Sequence, residues 1–168
     1  LSLHVMEQTK KAMEAEGKTF TPHPAMSVVE KMVKEFGREG KKVSKGFYDY
    51  PENGEKHLWS DLTELYPTTD EQPSQQDLVD RLLYVQANET AKCYEENVVR
   101  TVADANIGSI FGWGFAPNQG GTLQFINSVG VDKFVARSRE LAQKYGARFE
   151  PAQILVAMAA KGEVFSDD

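Results

Sequence analysis

The stretch EGKTFTP, Glu16 to Pro22, returns near the other end of the chain as YGARFEP, Tyr145 to Pro151. Its Gly, Phe and Pro each recur 129 positions further on (17 to 146, 20 to 149, 22 to 151). Each copy follows a helix-like segment, LSLHVMEQTKKAMEAEG and VDKFVARSRELAQKYG, and leads into another that carries a Met and a Gly: Met32 with Gly37, Met158 with Gly162. The spacing predicts one helical unit used twice. The second copy has a long lead-in from about Ser74 to Gly130, and the same arithmetic places roughly 55 residues of the first unit upstream of Leu1.

Composition fits a globular chain and names no activity. At 168 residues with 40% hydrophobic content, the chain is long enough to bury a core as one domain or two small ones. A net charge of −6 argues against nucleic acid or an anionic membrane as the main partner. The longest apolar run, QILVAMAA, falls far short of the roughly 20 residues of a membrane span, and the segment from Leu1 lacks a signal-peptide pattern. Cys93 is the single cysteine, so no internal disulfide framework exists; inside a helical pattern it reads as a buried structural thiol in a reducing compartment.

The periodicity is helical almost throughout. Val5, Met6, Ala12 and Met13 give residues 2–16 an apolar face, and Gly17 ends them as a left-handed cap. Pro22 and Pro24 stand where the next helix starts, with Met26, Val29, Met32, Val33 and Phe36 as its face. From Gly37 to Pro73 the pattern breaks into an ordered connector with a short helix near Leu62 to Tyr66. The longest helix begins after Ser74, an N-cap with Asp77 three residues on, and is expected to run to about Val99. Its expected buried face is Leu78, Leu82, Val85, Cys93 and Val99, with Glu89 nearby. DANIGSIFGWG, GTLQFINSVG, 131–145 and 151–161 read as further helices, and no alternating pattern marks a parallel sheet. The resulting division is 1–52 for the shortened first unit, 53–73 for a connector and 74–168 for the second unit.

The chain carries few motifs of catalytic chemistry. There is no P-loop, and His4, His23 and His57 share no metal-ligand spacing with each other or with Cys93. GWGFAP, from Gly112, starts like a dinucleotide fingerprint, but Pro117 occupies the place of the third Gly and the segment ends a helix rather than following a strand. His57 with Glu55 has the composition of an acid/base pair, yet a His in a Lys-rich connector reads as solvated. The acidic runs AMEAEG and YEEN read as solvated helix faces. Arg38, Lys41, Lys42 and Lys45 form a basic cluster able to meet a phosphate, and more simply a solvated turn.

Gly40-Lys41-Lys42-Val43-Ser44-Lys45-Gly46-Phe47-Tyr48-Asp49-Tyr50 resembles the G-R-K-x-G-K-G-F-Y-x-Y segment that closes the first C-terminal domain of 3-hydroxyacyl-CoA dehydrogenases. NETAKCYEENVV, ADANIGSIFGWGFAPNQGG, INSVG and FEPAQILVAMAAKG are similar, in the same order, to the second C-terminal domain of the multifunctional fatty acid oxidation alpha subunit. The resemblance implies an all-α fold of duplicated helical domains like the C-terminal domain of 6-phosphogluconate dehydrogenase, with the first copy truncated at its N-terminus. It also implies NAD-linked oxidation of a 3-hydroxyacyl-CoA in fatty acid beta-oxidation, in a bacterial cytoplasm. In that family a Rossmann domain binds NAD and supplies a His oriented by a Glu, so the resemblance places no catalytic, cofactor-binding or metal-binding residue in this chain. The implied partners are that Rossmann domain, the acyl-CoA substrate, and a second copy or a thiolase in the full complex.

Two departures from the family pattern matter. Ser44 replaces a usual Gly in the basic turn, which predicts a backbone less free to take positive φ. Phe111 stands where multifunctional members commonly carry a substrate-contacting Tyr, so a ring remains to line an acyl or pantetheine pocket while the hydroxyl is lost. The resemblance thus implies substrate contact at Phe111, with Trp113 packed in the helical core, and a stiff structural turn at Phe115-Ala116-Pro117-Asn118-Gln119-Gly120-Gly121. Two alternatives stay open: the helical half of another hydroxyacid dehydrogenase, to which GKGFYDY does not fit, and a non-enzymatic helical interaction module.

Overall fold

A computed structural model of the chain describes residues 2–167. It is helical, with one two-residue antiparallel ladder as its only sheet among the described residues, and it divides into two compact units, Leu1–Asp70 and Glu71–Asp168. Residues 53–70, read from the sequence as connector, fold with the first unit.

The first unit opens with α1 (Ser2–Ala15), stopped by Gly17 at φ +70°, and α2 (Pro24–Lys34). Pro24 occupies the first turn of α2, where its missing N–H costs nothing, and His23 caps the helix through Nδ1, which accepts from the Ala25 amide at 3.1 Å. A 3-10 turn over Lys41–Val43 leads to β1 (Tyr48–Asp49), paired antiparallel with β2 (His57–Leu58) in the register Tyr48 to Leu58, and then to α3 (Leu62–Leu65). Ser44 takes φ +57°. The expected restriction there is therefore overcome: a single left-handed residue is a modest cost when the surrounding bridges fix the turn. Met32 is the one buried hydrophobic residue of the α1–α2 pair.

The second unit holds the main core. It comprises α4 (Gln75–Glu95), α5 (Val102–Trp113), α6 (Thr122–Val129), α7 (Val131–Tyr145) and α8 (Gln153–Lys161). Ser74 Oγ caps α4 by accepting from the Asp77 amide at 3.1 Å. The helix ends at Glu95, short of the expected Val99. Asn97 turns left-handed at φ +59°, and the Val98 amide reaches back to the Cys93 carbonyl at 2.9 Å, a Schellman closure with Asn in glycine's usual place.

The expected buried face of α4 is corrected. Leu78 and Leu82 are exposed, at 46% and 66%, and Glu89 lies outside, paired with Lys92. Instead Asp77, Asp80, Tyr84, Ala87, Asn88 and Ala91 face inward. Ala87 and Ala91 let α6 and α8 approach closely, and the polar residues enter because each has partners. Asn88 donates to the Glu150 carbonyl and accepts from the Ala152 amide at 2.8 Å, pinning the loop between α7 and α8 to α4. Tyr84 stacks on Phe134 with centroids 4.4 Å apart, and Phe125 meets both rings edge-on. Cys93 is half-buried rather than enclosed.

Candidate functional site

The candidate site lies at the C-terminal end of α5. Thr101 caps this helix, and its N-terminus is also held from the far end of the chain: the Asp167 carboxylate accepts from the Val102 and Ala103 amides. The tail is itself tied down by Asn127, whose amide bonds the Phe165 backbone from both sides. Across from α5, Asn106 Oδ1 caps α6 by accepting from the Leu123 and Gln124 amides at 3.0 Å each. Gly121 passes so close to Asn106 that an added Cβ would lie 2.4 Å from its Cα. The second Gly of the NQGG turn is thus a packing requirement, in keeping with a structural role for this segment.

Val102, Ala105 and Ser109 face the core, so Ile107 and Phe111 look outward. Phe111 is 85% exposed, the most exposed large hydrophobic side chain among the described residues. Gly114 then turns left-handed at φ +76°, closing α5, and Phe115 swings in to fill the core. Trp113 is corrected from core to surface: it is 57% exposed, and its Nε1 donates to Gln86 Oε1 at 2.8 Å. The reason is the left-handed turn, which gives the inward position to Phe115 and leaves Trp113 against the flank of α4. There it borders a shallow depression of about 380 Å³ with Val85, Cys93 and Val99. Gly112 to Pro117 ends a helix and enters a 3-10 turn, Pro117–Gln119, so these residues do not fit a dinucleotide phosphate.

The other sequence candidates lie apart. Arg38 leaves the basic cluster: it is buried, its Nε donates to the Gly46 carbonyl at 2.7 Å, it pairs with Asp49, and its guanidinium lies 4.3 Å from the Trp59 ring centre. Lys41, Lys42 and Lys45 stay exposed. His57 meets the Glu55 backbone carbonyl at 3.4 Å, not the carboxylate, and stands 3.9 Å from Asp49, so the His57–Glu55 acid/base pair does not form. No group of three His, Cys, Asp or Glu gathers as metal ligands among the described residues. Among the described residues, no helix is long and apolar enough to cross a membrane.

The most perturbed ionisable groups form a cluster that the sequence reading missed. Asp77 accepts from the Tyr145 hydroxyl at 2.6 Å and from Arg137 at 2.5 Å, which hold its carboxyl well below the usual carboxylate range. Arg137 also donates to Asp80 at 2.7 Å and Glu140 at 2.9 Å, and its own pKa is raised, chiefly by Asp77. Burial, followed by Asp80, pushes Tyr84 up to about 12. Asp77, Asp80, Arg137 and Tyr145 interlock through these bonds, which suits anchoring α4 to α7 rather than proton transfer. The signal available in the sequence was the i, i+3 pair Asp77 and Asp80 on a helix expected to be buried.

No family model matches the chain. Among solved structures, the chain is similar to the dehydrogenase part of multifunctional enzyme 1 from C. elegans. The two share 19% identity at a TM-score of 0.54, over 92% of this chain and 36% of that one. At this identity the likeness establishes the fold, and the chain spans about a third of the neighbour's length.

Proposed function

We propose that this chain is the C-terminal helical portion of an NAD-dependent 3-hydroxyacyl-CoA dehydrogenase of fatty acid beta-oxidation, covering the acyl-CoA cleft and mediating packing against its other domains. The observation that carries this reading is Phe111. Phe111 is 85% exposed and, with the exposed Ile107 one turn earlier, gives an apolar outer face to a helix held at both ends; it stands at the position where the resembling family commonly carries a substrate-contacting Tyr. The sequence motifs and the fold shared with a dehydrogenase support the same reading. NAD, when bound elsewhere in the enzyme, accepts the hydride. The role assigned to this chain is to line the acyl or pantetheine channel and exclude water, with no catalytic residue of its own.

The chain alone is expected to be inactive, because neither hydride acceptor nor proton acceptor is positioned. Purified chain and the enzyme that joins it to a dinucleotide-binding domain are to be compared for NADH formation from a 3-hydroxyacyl-CoA. The reading requires activity in the joined enzyme and none in the chain. NADH formation by the chain alone, or none by the joined enzyme, overturns it.

A further inference from the structure

Between β1 and β2 the chain runs from Tyr50 to Lys56 without a helix or strand, and Asn53 and Gly54 lie exposed within it. Asparagine followed by glycine is a reactive pair. The backbone nitrogen of the following residue, once deprotonated, can attack the side-chain carbonyl carbon, and glycine has no Cβ to obstruct the approach. In a folded chain the attack requires that nitrogen to be free. Among the described residues, neither the Asn53 carboxamide nor the Gly54 N–H makes a hydrogen bond. Gly54 sits at φ +136°, a conformation open to glycine and rarely taken by other residues.

The five other asparagines are each guarded by the fold. After Asn88, Asn106 and Asn127 the next amide lies inside α4, α5 or α6, where the helix ladder engages it. Their side-chain oxygens are engaged as well, by the amides of Ala152, of Leu123 and Gln124, and of Phe165. After Asn97 the Val98 amide donates to the Cys93 carbonyl at 2.9 Å, and its β-branched side chain crowds the nitrogen. After Asn118 the Gln119 amide donates to the Ala116 carbonyl at 3.0 Å.

We propose that Asn53 with Gly54 is a site of spontaneous modification, at which the Asn53 amide is lost to water in two steps. The Gly54 nitrogen bonds to Cγ of Asn53, the Cγ–Nδ2 bond breaks, and the proton given up by Gly54 leaves with Nδ2 as ammonia. A five-membered succinimide ring results. Water then opens the ring. Cleavage of its N–Cγ bond gives aspartate, and cleavage of its bond from nitrogen to the Asn53 backbone carbonyl carbon gives isoaspartate, whose main chain passes through Cγ and is one atom longer. Either product exchanges a neutral amide for a carboxylate, taking the formal net charge from −6 to −7. The isoaspartate leaves its α-carboxylate free, which is the group a carboxyl methyltransferase specific for isoaspartate takes. Water is the only co-reactant, so the site is independent of the dehydrogenase reading.

The test incubates the whole chain at pH 7 and at pH 9, both folded and unfolded in guanidinium chloride, and maps its peptides by mass spectrometry. The folded chain is expected to gain one mass unit on the peptide holding residues 53 and 54, faster at pH 9, and at a rate within about tenfold of the unfolded chain. An isoaspartyl methyltransferase with S-adenosylmethionine should label the aged chain. Asn53→Gln, an exposed position, should abolish both mass gain and label, because the longer side chain must close a six-membered ring. Three results overturn the inference: a folded-state rate more than about tenfold below the unfolded one, which would mean that the fold guards this pair too; a mass gain at Asn97 or Asn118 that precedes the one at Asn53; or a label that survives Asn53→Gln.

Discussion

Asn88 is 1% exposed and spends its whole amide on backbone, which makes it the residue on which the α4 seat turns. Asn88→Ala leaves the Ala152 amide and the Glu150 carbonyl short of partners, and should cost about 2 kcal/mol in urea unfolding. Asn88→Asp can keep the acceptor but not the donor, so it should not restore full stability. Asp77 makes a separate prediction about pH. Its native pKa is depressed, so below the ordinary aspartate pKa of about 3.9 the unfolded chain binds the proton that the folded chain refuses. The stability it contributes is complete above that value and is lost as pH falls toward its native pKa. Urea midpoints measured between pH 7 and pH 3 should therefore fall less steeply for Asp77→Asn than for the parent chain. Equal slopes would show that the Arg137 and Tyr145 contacts do not lower the carboxyl's pKa.

Helix α4 shows what periodicity can and cannot reveal. Its N-terminus was legible because a capping serine is a local signal, and its end was misplaced because Asn97 can act as glycine does. Its buried face was misread for a different reason. Counting apolar side chains selects Leu78 and Leu82, while the core takes Tyr84, two alanines and three polar residues whose partners lie 57 to 68 positions away. No local pattern carries that information. The same gap hid the Asp77–Arg137–Tyr145 cluster. Two substitutions check the corrected face. Leu82→Glu should change stability by no more than about 0.5 kcal/mol, as expected for an exposed position. Ala87→Leu, at a site with no accessible surface, should cost about 1 to 3 kcal/mol through overpacking. The reverse ranking in thermal unfolding would restore the apolar-count reading.

At the scale of the whole molecule, the helical character was readable from periodicity, and two residues of the repeat mark the same backbone events in both places: Gly17 and Gly146 take positive φ after α1 and α7, and Pro22 and Pro151 precede the starts of α2 and α8. The consequence of the repeat was less legible. Phe149 is buried at 2% while its mate Phe20 is only half-buried, a difference made by neighbours rather than by either residue. Fold alone does not name a reaction, and the proposed dehydrogenase role therefore rests on a site. That site is one exposed ring, and its kinetics test the proposal most directly. In the enzyme that joins this chain to its dinucleotide-binding domain, Phe111→Tyr should shift kcat/KM for a 3-hydroxyacyl-CoA about fivefold, as one neutral hydrogen bond of about 1 kcal/mol requires. Phe111→Asp should raise KM more strongly, and neither should lower the unfolding free energy by more than about 0.5 kcal/mol. Identical kinetics for the parent, Tyr and Asp enzymes would contradict the account, because they would place Phe111 outside the acyl-CoA cleft.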